Sequence, residues 1–249
     1  MGTKLGTATG RFVWHDHRSP DAGAARAFYT TLMGWETEIF KAGELDYPMI
    51  KVHGQTHGGF GPGQGGPSHW LGHVAVEDVD AAASRAAAGG GTVLMEPMDM
   101  AEVGRLAAIR DQQGATLGLY TPETEPPASE GVFAWDELMT GDVEAAKRFY
   151  GDAIGWTAET TQMGGQSYTT FSSADTPRAG CMATPPGVQA PPMWSTYLAT
   201  DDLDATMGRA LASGASVIAP RMEMQGVGAF AMLTDPAGAA FGLLQQESE

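Results

Sequence analysis

The stretch Phe12-Val-Trp-His-Asp16, followed by Gly34-Trp35, occurs twice in this chain. The second copy is Phe133-Ala-Trp-Asp-Glu137, followed by Gly155-Trp156. Both ends of the motif recur at one offset, since 133 − 12 and 156 − 35 each equal 121. Self-similarity at a fixed period is typical of a duplicated structural unit. The sequence therefore predicts two homologous halves.

A finer repeat is visible inside each half. Aromatic and aliphatic residues favour a first strand. Asp21–Met33 has apolar residues at helical spacing, and either Ser19 or Asp21 can cap this helix. Three further strand-like runs follow, and the pattern then returns with a second helix over Asp78–Ala88. Each half thus reads as β-α-β-β-β twice over, an α+β class. The predicted domains are residues 1–120 and 131–249, joined by a Pro-rich, acidic linker over 121–130.

Composition limits the partners and the compartment. The 249 residues include 14 basic and 30 acidic side chains, a formal net charge of −16, which disfavours nucleic acid and anionic membrane surfaces as partners. No apolar run reaches the length of a membrane span, and the first ten residues lack the apolar core of a signal peptide. Cys181 is the single cysteine, so no intrachain disulfide can form. We expect a cytoplasmic protein with a small-molecule ligand.

Several motifs now point to a known family. Phe28-Tyr29 before Gly34-Trp35, Val76-Glu-Asp-Val-Asp80 at a helix start, and Asp235-Pro-Ala-Gly238 before the last strand are present. With them the chain resembles the vicinal oxygen chelate superfamily, in its tandem two-domain glyoxalase-like branch. That superfamily includes glyoxalase I, extradiol dioxygenases and bleomycin-resistance proteins. The resemblance implies two tandem glyoxalase-like domains, each built of two βαβββ units whose mixed sheets curl into cups.

The resemblance also implies a divalent metal, held by side chains from the first, fourth, fifth and eighth strands. Carried over onto this sequence, the first-strand position falls on Trp14 and its repeat Trp135. The fifth-strand position falls on Leu71 and Ser195, and the eighth-strand glutamate on Gly118 and Gly242. In the fourth-strand segment only His57 could bind a metal. Indole, leucine and glycine cannot serve as ligands, so we expect no metal and no other cofactor.

Side-chain alternation predicts what lines the cups instead. Residues two positions apart on a strand share a face, which places Asp16 and Glu137 beside the two tryptophans. By the same reasoning His73 and Tyr197 face inward. We take these four as candidate catalytic residues, against the alternative that the carboxylates are structural hydrogen-bond partners. The candidate ligand-binding residues are Trp14, Trp135, Tyr47, Tyr168, Leu71 and Ser195.

The two halves differ in their titratable groups. In many relatives a cup combines the first repeat with the fourth and the second with the third. Such pairing would bring Glu137 to His73, the one combination that contains a group titrating near neutrality. That pair is the preferred acid–base site, with Asp16 and Tyr197 in the other cup. His15 and His17 share a strand face and could chelate a metal, but alternation turns them away from Trp14, so hydrogen bonding to neighbours is expected.

Three functions remain open at this stage. The first is a metal-independent enzyme that acts by acid–base chemistry on a small aromatic or polyketide-like metabolite, as in antibiotic-pathway tailoring. The second is a non-catalytic protein that sequesters a drug-like ligand, as bleomycin-resistance proteins do. The third is a metal-dependent lyase or dioxygenase. We expect a monomer with an internal pseudo-twofold axis, since the tandem halves supply the interface that single-domain relatives obtain by dimerising, and leave open a weak dimer.

Overall fold

The fold was analysed in a computed structural model, which describes residues 8–42, 45–63, 66–129 and 131–247. Within these ranges the chain forms four helices, α1 (Ala22–Met33), α2 (Val79–Ala88), α3 (Val143–Ile154) and α4 (Leu203–Ala212). The strands of the first half are β1 (Phe12–Ser19), β2 (Glu36–Ala42), β3 (Leu45–Val52), β4 (Gln55–Pro62), β5 (His69–Ala75), β6 (Thr92–Met100), β7 (Gly104–Arg110) and β8 (Thr116–Pro122). Those of the second half are β9 (Phe133–Thr140), β10 (Thr157–Met163), β11 (Gln166–Ser173), β12 (Thr176–Ala183), β13 (Met193–Ala199), β14 (Ser216–Met224), β15 (Gly228–Thr234) and β16 (Ala240–Gln246).

These elements form the predicted βαβββ pattern four times, and the α+β class is confirmed. Over the described residues the strands make two eight-stranded mixed sheets, in the orders β2-β3-β4-β1-β5-β8-β7-β6 and β10-β11-β12-β9-β13-β16-β15-β14. Within each repeat the first strand pairs in parallel with the last, as β1 does with β4 and β9 with β12. The remaining neighbours inside a repeat are antiparallel.

The chain divides into two compact units that interleave its halves. Of the described residues, one unit contains those within 8–13, 72–126 and 135–194, and the other those within 14–71, 127–134 and 195–247. We call them the inner and the outer unit, after the order of their segments in the sequence alone. The inner unit thus holds most of the second and third repeats, and the outer unit most of the first and fourth. Each has its own hydrophobic core.

The helices begin and end where side-chain chemistry requires. Asp21 accepts a hydrogen bond from the Ala24 backbone N–H and caps α1, and an aspartate does the same for each of the other three helices. Gly34 ends α1 with a φ of 70°, a left-handed conformation that glycine adopts without a Cβ clash. The buried face of α1, including Phe28 and Tyr29, packs into the core of the outer unit.

A buried aspartate ties a helix to the turn before a strand in each unit. In the outer unit Asp235 accepts hydrogen bonds from the Ala237 and Ala239 backbone N–H groups, and from Tyr29 of α1 at 3.1 Å. In the inner unit Asp111 accepts one from Tyr150 of α3 at 3.0 Å. Buried carboxylates require such partners, so these networks fix each helix on its sheet.

The histidines of β1 belong to this core. His17 Nε2 lies 2.8 Å from Asp235 Oδ2, and the side chain is fully buried. His15 stacks on Phe133, with ring centroids 4.0 Å apart. The prediction that both turn away from the Trp14 face is confirmed.

Candidate functional site

Strand β1 presents three polar or amphipathic side chains on the face opposite the core. Trp14, Asp16 and Arg18 alternate with the buried His15 and His17, so they share one face of the strand. Tyr47, on β3, joins them. We call Trp14, Asp16, Arg18 and Tyr47 the Asp16 cluster; all four belong to the outer unit.

The carboxylate of Asp16 is the centre of this cluster. It accepts hydrogen bonds from Trp14 Nε1 at 3.0 Å and from the Tyr47 hydroxyl, and Arg18 Nη2 donates to its other oxygen at 2.6 Å. Trp14 Nε1 also lies 3.2 Å from the Tyr47 oxygen. Asp16 is only 4% exposed, and a charge so deeply buried is stabilised by an ion pair and several hydrogen bonds. The cluster is therefore one connected polar network.

The environment fixes the protonation state of Tyr47. Burial and the neighbouring charge of Asp16 raise the pKa of the Tyr47 hydroxyl well above its usual range. A hydrogen bond to Asp16 adds to the shift, while Trp14 and Arg18 oppose it only in part. Tyr47 therefore keeps its proton at neutral pH and presents it to a carboxylate.

Two glycines of β4 make room for the cluster. A Cβ atom on Gly59 would overlap the phenol of Tyr47, and one on Gly61 would lie 2.8 Å from Arg18 Nη1. Because β4 lies between β3 and β1 in the sheet, Tyr47 reaches Asp16 by crossing the bare backbone at Gly59. A side chain at that position would separate the phenol from the carboxylate.

The same arrangement of a ring over a glycine recurs elsewhere, and three of these places involve candidate site residues. In the inner unit the Tyr168 phenol lies over Gly180 and accepts a hydrogen bond from Trp135 Nε1 at 2.9 Å. Also in that unit, His73 lies over Gly118. In the outer unit, the ring of Tyr197 lies over Gly242.

The remaining candidate residues lie on β5, β9 and β13. Leu71 is 9% and Ser195 7% exposed, both in the outer unit. In that unit Tyr197 packs edge-on against Phe230, with ring centroids 6.3 Å apart. In the inner unit Glu137 is paired across the ladder with Gly180, and its charge contributes to the raised pKa of the buried Cys181 thiol.

The predicted contact between Glu137 and His73 stays a prediction. Both lie in the inner unit, but on strands of different sheets. A Cβ on Gly72 would lie 3.5 Å from Asp136 Oδ1, so these two positions face each other. Alternation along β5 and β9 then directs His73 and Glu137 away from that shared face.

Arg18 was not among the candidate site residues predicted from the sequence. The signal was available, because Arg18 is two residues beyond Asp16 on the same strand and so shares its face. The position 121 residues later is Met139, since 18 + 121 = 139, so the second half carries no arginine at the matched place.

Family models match both halves of the chain. Residues 12–119 match the Glyoxalase/Bleomycin resistance protein/Dioxygenase superfamily, and residues 133–244 match the Glyoxalase-like domain. The chain belongs to the glyoxalase/bleomycin resistance protein/dioxygenase superfamily. The resemblance inferred from the sequence motifs is confirmed.

Relatives within this superfamily cover almost the whole chain. "Putative glyoxylase CFP32" of Mycobacterium tuberculosis is 36% identical over 245 residues, which is 93% of this chain and 93% of that protein. "Anthracycline biosynthesis protein DnrV" of Streptomyces peucetius is 31% identical over 259 aligned positions, covering 96% of this chain and 94% of that protein. The match to these relatives therefore extends over nearly their whole length.

Solved structures show the same fold. The Mn(II)-bound glyoxalase from Novosphingobium aromaticivorans superposes with a TM-score of 0.66 at 16% identity, over 96% of this chain and 83% of that one. The 2,2',3-trihydroxybiphenyl 1,2-dioxygenase from Sphingomonas wittichii gives 0.65 at 15% identity, over 95% and 90%. At such identities the likeness concerns the fold alone.

The metal centre implied by the superfamily does not fit the residues of this glyoxalase-like chain. At the first-strand position Trp14 donates its only polar hydrogen to Asp16 and Tyr47. At the eighth-strand position the space over Gly118 is taken by His73, which blocks a glutamate there. Among the described residues no group of three or more His, Cys, Asp or Glu side chains is placed to hold a metal ion. None of the described helices is long and apolar enough to cross a membrane.

Proposed function

We propose that this glyoxalase-like protein acts on a small aromatic or polyketide-like metabolite by acid–base chemistry at the Asp16 cluster, without a metal at the family's ligand positions. The observation that carries the proposal is the buried Asp16 carboxylate held against a protonated phenol, beside the half-buried indole of Trp14. An indole offers a flat apolar surface to an aromatic ligand. A relative named for anthracycline biosynthesis, 31% identical, supports an aromatic polyketide as the substrate class.

The geometry supports a proton relay. As the Tyr47 oxygen takes a proton from a C–H or O–H group of the substrate, the hydroxyl proton of Tyr47 passes to Asp16. The substrate bond breaks, and its electron pair stays on the substrate. Because the pKa of Tyr47 is raised, a free phenolate is unfavourable, and a concerted relay avoids forming one.

Arg18 and Trp14 keep the relay in place. Arg18 forms an ion pair with Asp16 at 2.6 Å, which compensates the charge of the carboxylate and holds it in place for the relay. Trp14 Nε1 donates to both Asp16 and Tyr47, so it fixes the distance between them. Both are positioning residues in this scheme.

A non-catalytic binding role is the second candidate. It is favoured by the number of donors on Asp16, which accepts hydrogen bonds from three side chains and so has lost part of its capacity to take a proton. In that case the cluster only orients a sequestered ligand. The metal-dependent third function would require ligands that the family's positions do not supply.

Binding and turnover distinguish these roles. A panel of hydroxyanthraquinones and aryl ketones is titrated by tryptophan fluorescence quenching, and conversion is followed by liquid chromatography and mass spectrometry. For an enzyme, Asp16→Asn and Tyr47→Phe should lower the rate about 10²-fold or more, the scale of general acid–base catalysis, with affinity changed about threefold at most. Asp46→Asn on the exposed β3 surface is the control.

The outcomes are separable. Binding without conversion by the wild-type protein supports the sequestering role. If none of the aromatic compounds binds, the proposal is wrong.

The acid–base assignment of Glu137, His73 and Tyr197 stays a prediction. Glu137→Gln tests it with the same panel: a rate loss of about 10²-fold with affinity retained would add Glu137 to the site. An unchanged rate would leave Asp16 and Tyr47 as the acid–base pair.

A further inference from the structure

Arg18 is the part of the Asp16 cluster whose hydrogen-bonding capacity is least used. A guanidinium carries five N–H donors in a planar fork. In the described part of the chain Arg18 donates one hydrogen bond, from Nη2 to Asp16, and Nε and Nη1 donate to no other residue. Its side chain is 31% exposed, whereas Asp16 beside it is almost fully buried. The guanidinium is thus anchored at one end and open at the other.

The position of Arg18 is held by packing as well as by charge. Its Nη1 lies over the bare backbone of Gly61, just as the Tyr47 phenol lies over Gly59 on the same strand. The two glycines are two residues apart, so they share a face of β4. Arg18 Nη1 and the Tyr47 phenol therefore lie on the same face of β4.

The positive charge of Arg18 indicates what kind of ligand group it could bind. The chain carries 30 acidic and 14 basic residues, and the matched position in the second half is Met139. An ion pair with Asp16 needs only one of the donors of Arg18. The strongest partners of the remaining donors are carboxylates, which accept charge-assisted hydrogen bonds from a guanidinium.

The net charge of −16 does not prevent such binding. At about 0.1 M salt the field of exposed charges is screened beyond about 10 Å. A hydrogen bond from Arg18 would act at about 3 Å, in a partly buried place where screening is weaker. The hydrogen bond at Arg18 is therefore stronger than the repulsion of an anionic ligand by the distant acidic surface.

We propose that Arg18 is a specificity-determining residue that binds a carboxylate group of an aromatic ligand through its free N–H donors. This inference rests on the proposed function, since it places the aromatic part of the ligand against Trp14 and Tyr47. The ligand class is an aromatic carboxylic acid, with its acid group at Arg18 and its ring system next to the Asp16–Tyr47 pair.

The test compares two probes of nearly the same shape, one with an anionic carboxylate and one with a neutral carboxamide in its place. Anthraquinone-2-carboxylate and anthraquinone-2-carboxamide are titrated by tryptophan fluorescence quenching at about 0.1 M salt. The wild-type chain should bind the carboxylate about tenfold or more tightly than the carboxamide, as expected for one charge-assisted contact. Raising the salt to about 0.5 M should reduce that ratio.

The variants are Arg18→Met, Arg18→Lys and Lys41→Met. Arg18→Met installs the residue of the matched position and should bring the ratio to about one. Arg18→Lys keeps the charge without the fork, so it should retain part of the preference even if Arg18→Met does not fold. Lys41→Met removes one positive charge from an exposed position on β2, where the side chain is 72% exposed, and should keep the full ratio.

Each outcome decides one proposal. If the carboxamide binds the wild-type chain and the ratio is near one, or is unchanged in Arg18→Met, the role of Arg18 is overturned while the aromatic site stands. If neither probe binds, the proposed function fails and this inference falls with it.

Discussion

The phenol of Tyr47 occupies the space that a side chain at position 59 would need. A Cβ on Gly59 would overlap the Tyr47 ring, and the hydroxyl beyond it donates to Asp16. The contact between two strands that are not neighbours thus depends on the absence of a side chain on the strand between them. Other ring-over-glycine contacts, within one unit or the other, include those of Tyr168, His73 and Tyr197.

Gly59→Ala should therefore destabilise the protein. The added methyl group would displace Tyr47 and break its hydrogen bond to Asp16, and overpacking of this kind costs about 1–3 kcal/mol. The free energy of unfolding is measured by urea denaturation. Gly208→Ala on α4 is the matched control, because a Cβ there meets nothing within 4 Å; it should be neutral or stabilising by up to about 1 kcal/mol. Equal stability of the two variants would contradict the packing argument.

Asp16 and Tyr47 should be energetically coupled. A hydrogen bond to an ionised carboxylate contributes about 1.5–3 kcal/mol, so Asp16→Asn and Tyr47→Phe should each lower the free energy of unfolding. The double variant should lose less than the sum of the two, with a coupling of about 1–3 kcal/mol. A thermodynamic cycle from urea unfolding measures it. Additivity within about 0.3 kcal/mol would show that the two residues do not interact.

Because of the buried His17–Asp235 contact, the free energy of unfolding should depend on pH in the acidic range. Burial alone would raise the pKa of Asp235, but hydrogen bonds from His17, Ala239 and Tyr29 outweigh it and lower that pKa below its usual value. A depressed carboxyl pKa gives stability that is present above the unfolded value of about 3.9 and is lost as pH falls through the folded value.

Asp235→Asn tests this dependence. It should cost about 2–4 kcal/mol near neutral pH, since it weakens a buried hydrogen-bonded network. The difference in the free energy of unfolding between Asp235→Asn and the wild-type chain should decrease below about pH 4. It is measured by thermal or urea unfolding at several pH values. Asp99→Asn, at a carboxylate whose side chain is 82% exposed, should cost less than about 1 kcal/mol. A constant difference between pH 7 and pH 3 would refute the linkage.

Cys181 should be unreactive in the folded protein. It is fully buried, and burial together with the charge of Glu137 raises the pKa of its thiol to about 12. Only the thiolate reacts readily with disulfide reagents. Ellman's reagent should therefore titrate less than about a tenth of the thiol within minutes at pH 8, and all of it after unfolding in urea. Rapid reaction of the native protein would show that the site opens.

The purified protein should carry no stoichiometric transition metal. The donor set predicts this result, since Trp14, Leu71 and Gly118 stand at positions where the superfamily places ligands. Elemental analysis after mild chelation is the measurement, and the melting temperature should be the same with and without EDTA. About one zinc, iron, nickel or manganese per chain, with a lowered melting temperature in EDTA, would reverse the conclusion.

The sequence by itself determined the repeats, the βαβββ order and the helix ends. It also determined which face of β1 each residue takes, because alternation is a local property of an extended strand. Asp16 could therefore be placed beside Trp14, and His15 and His17 on the core side. The replaced metal-ligand positions were readable too, since they follow from residue identity at fixed distances from the motifs.

Tertiary structure alone decided which of these residues meet. Tyr47 reaches Asp16 only because β4 lies between their strands and is bare at Gly59, a fact of sheet order that no local pattern contains. In the same way, the approach of Gly72 to Asp136 within the inner unit joins two strands that are far apart in the sequence. The face of a strand on which a side chain lies follows from its position in the sequence. Contact between side chains depends on how strands that are far apart in the chain are arranged.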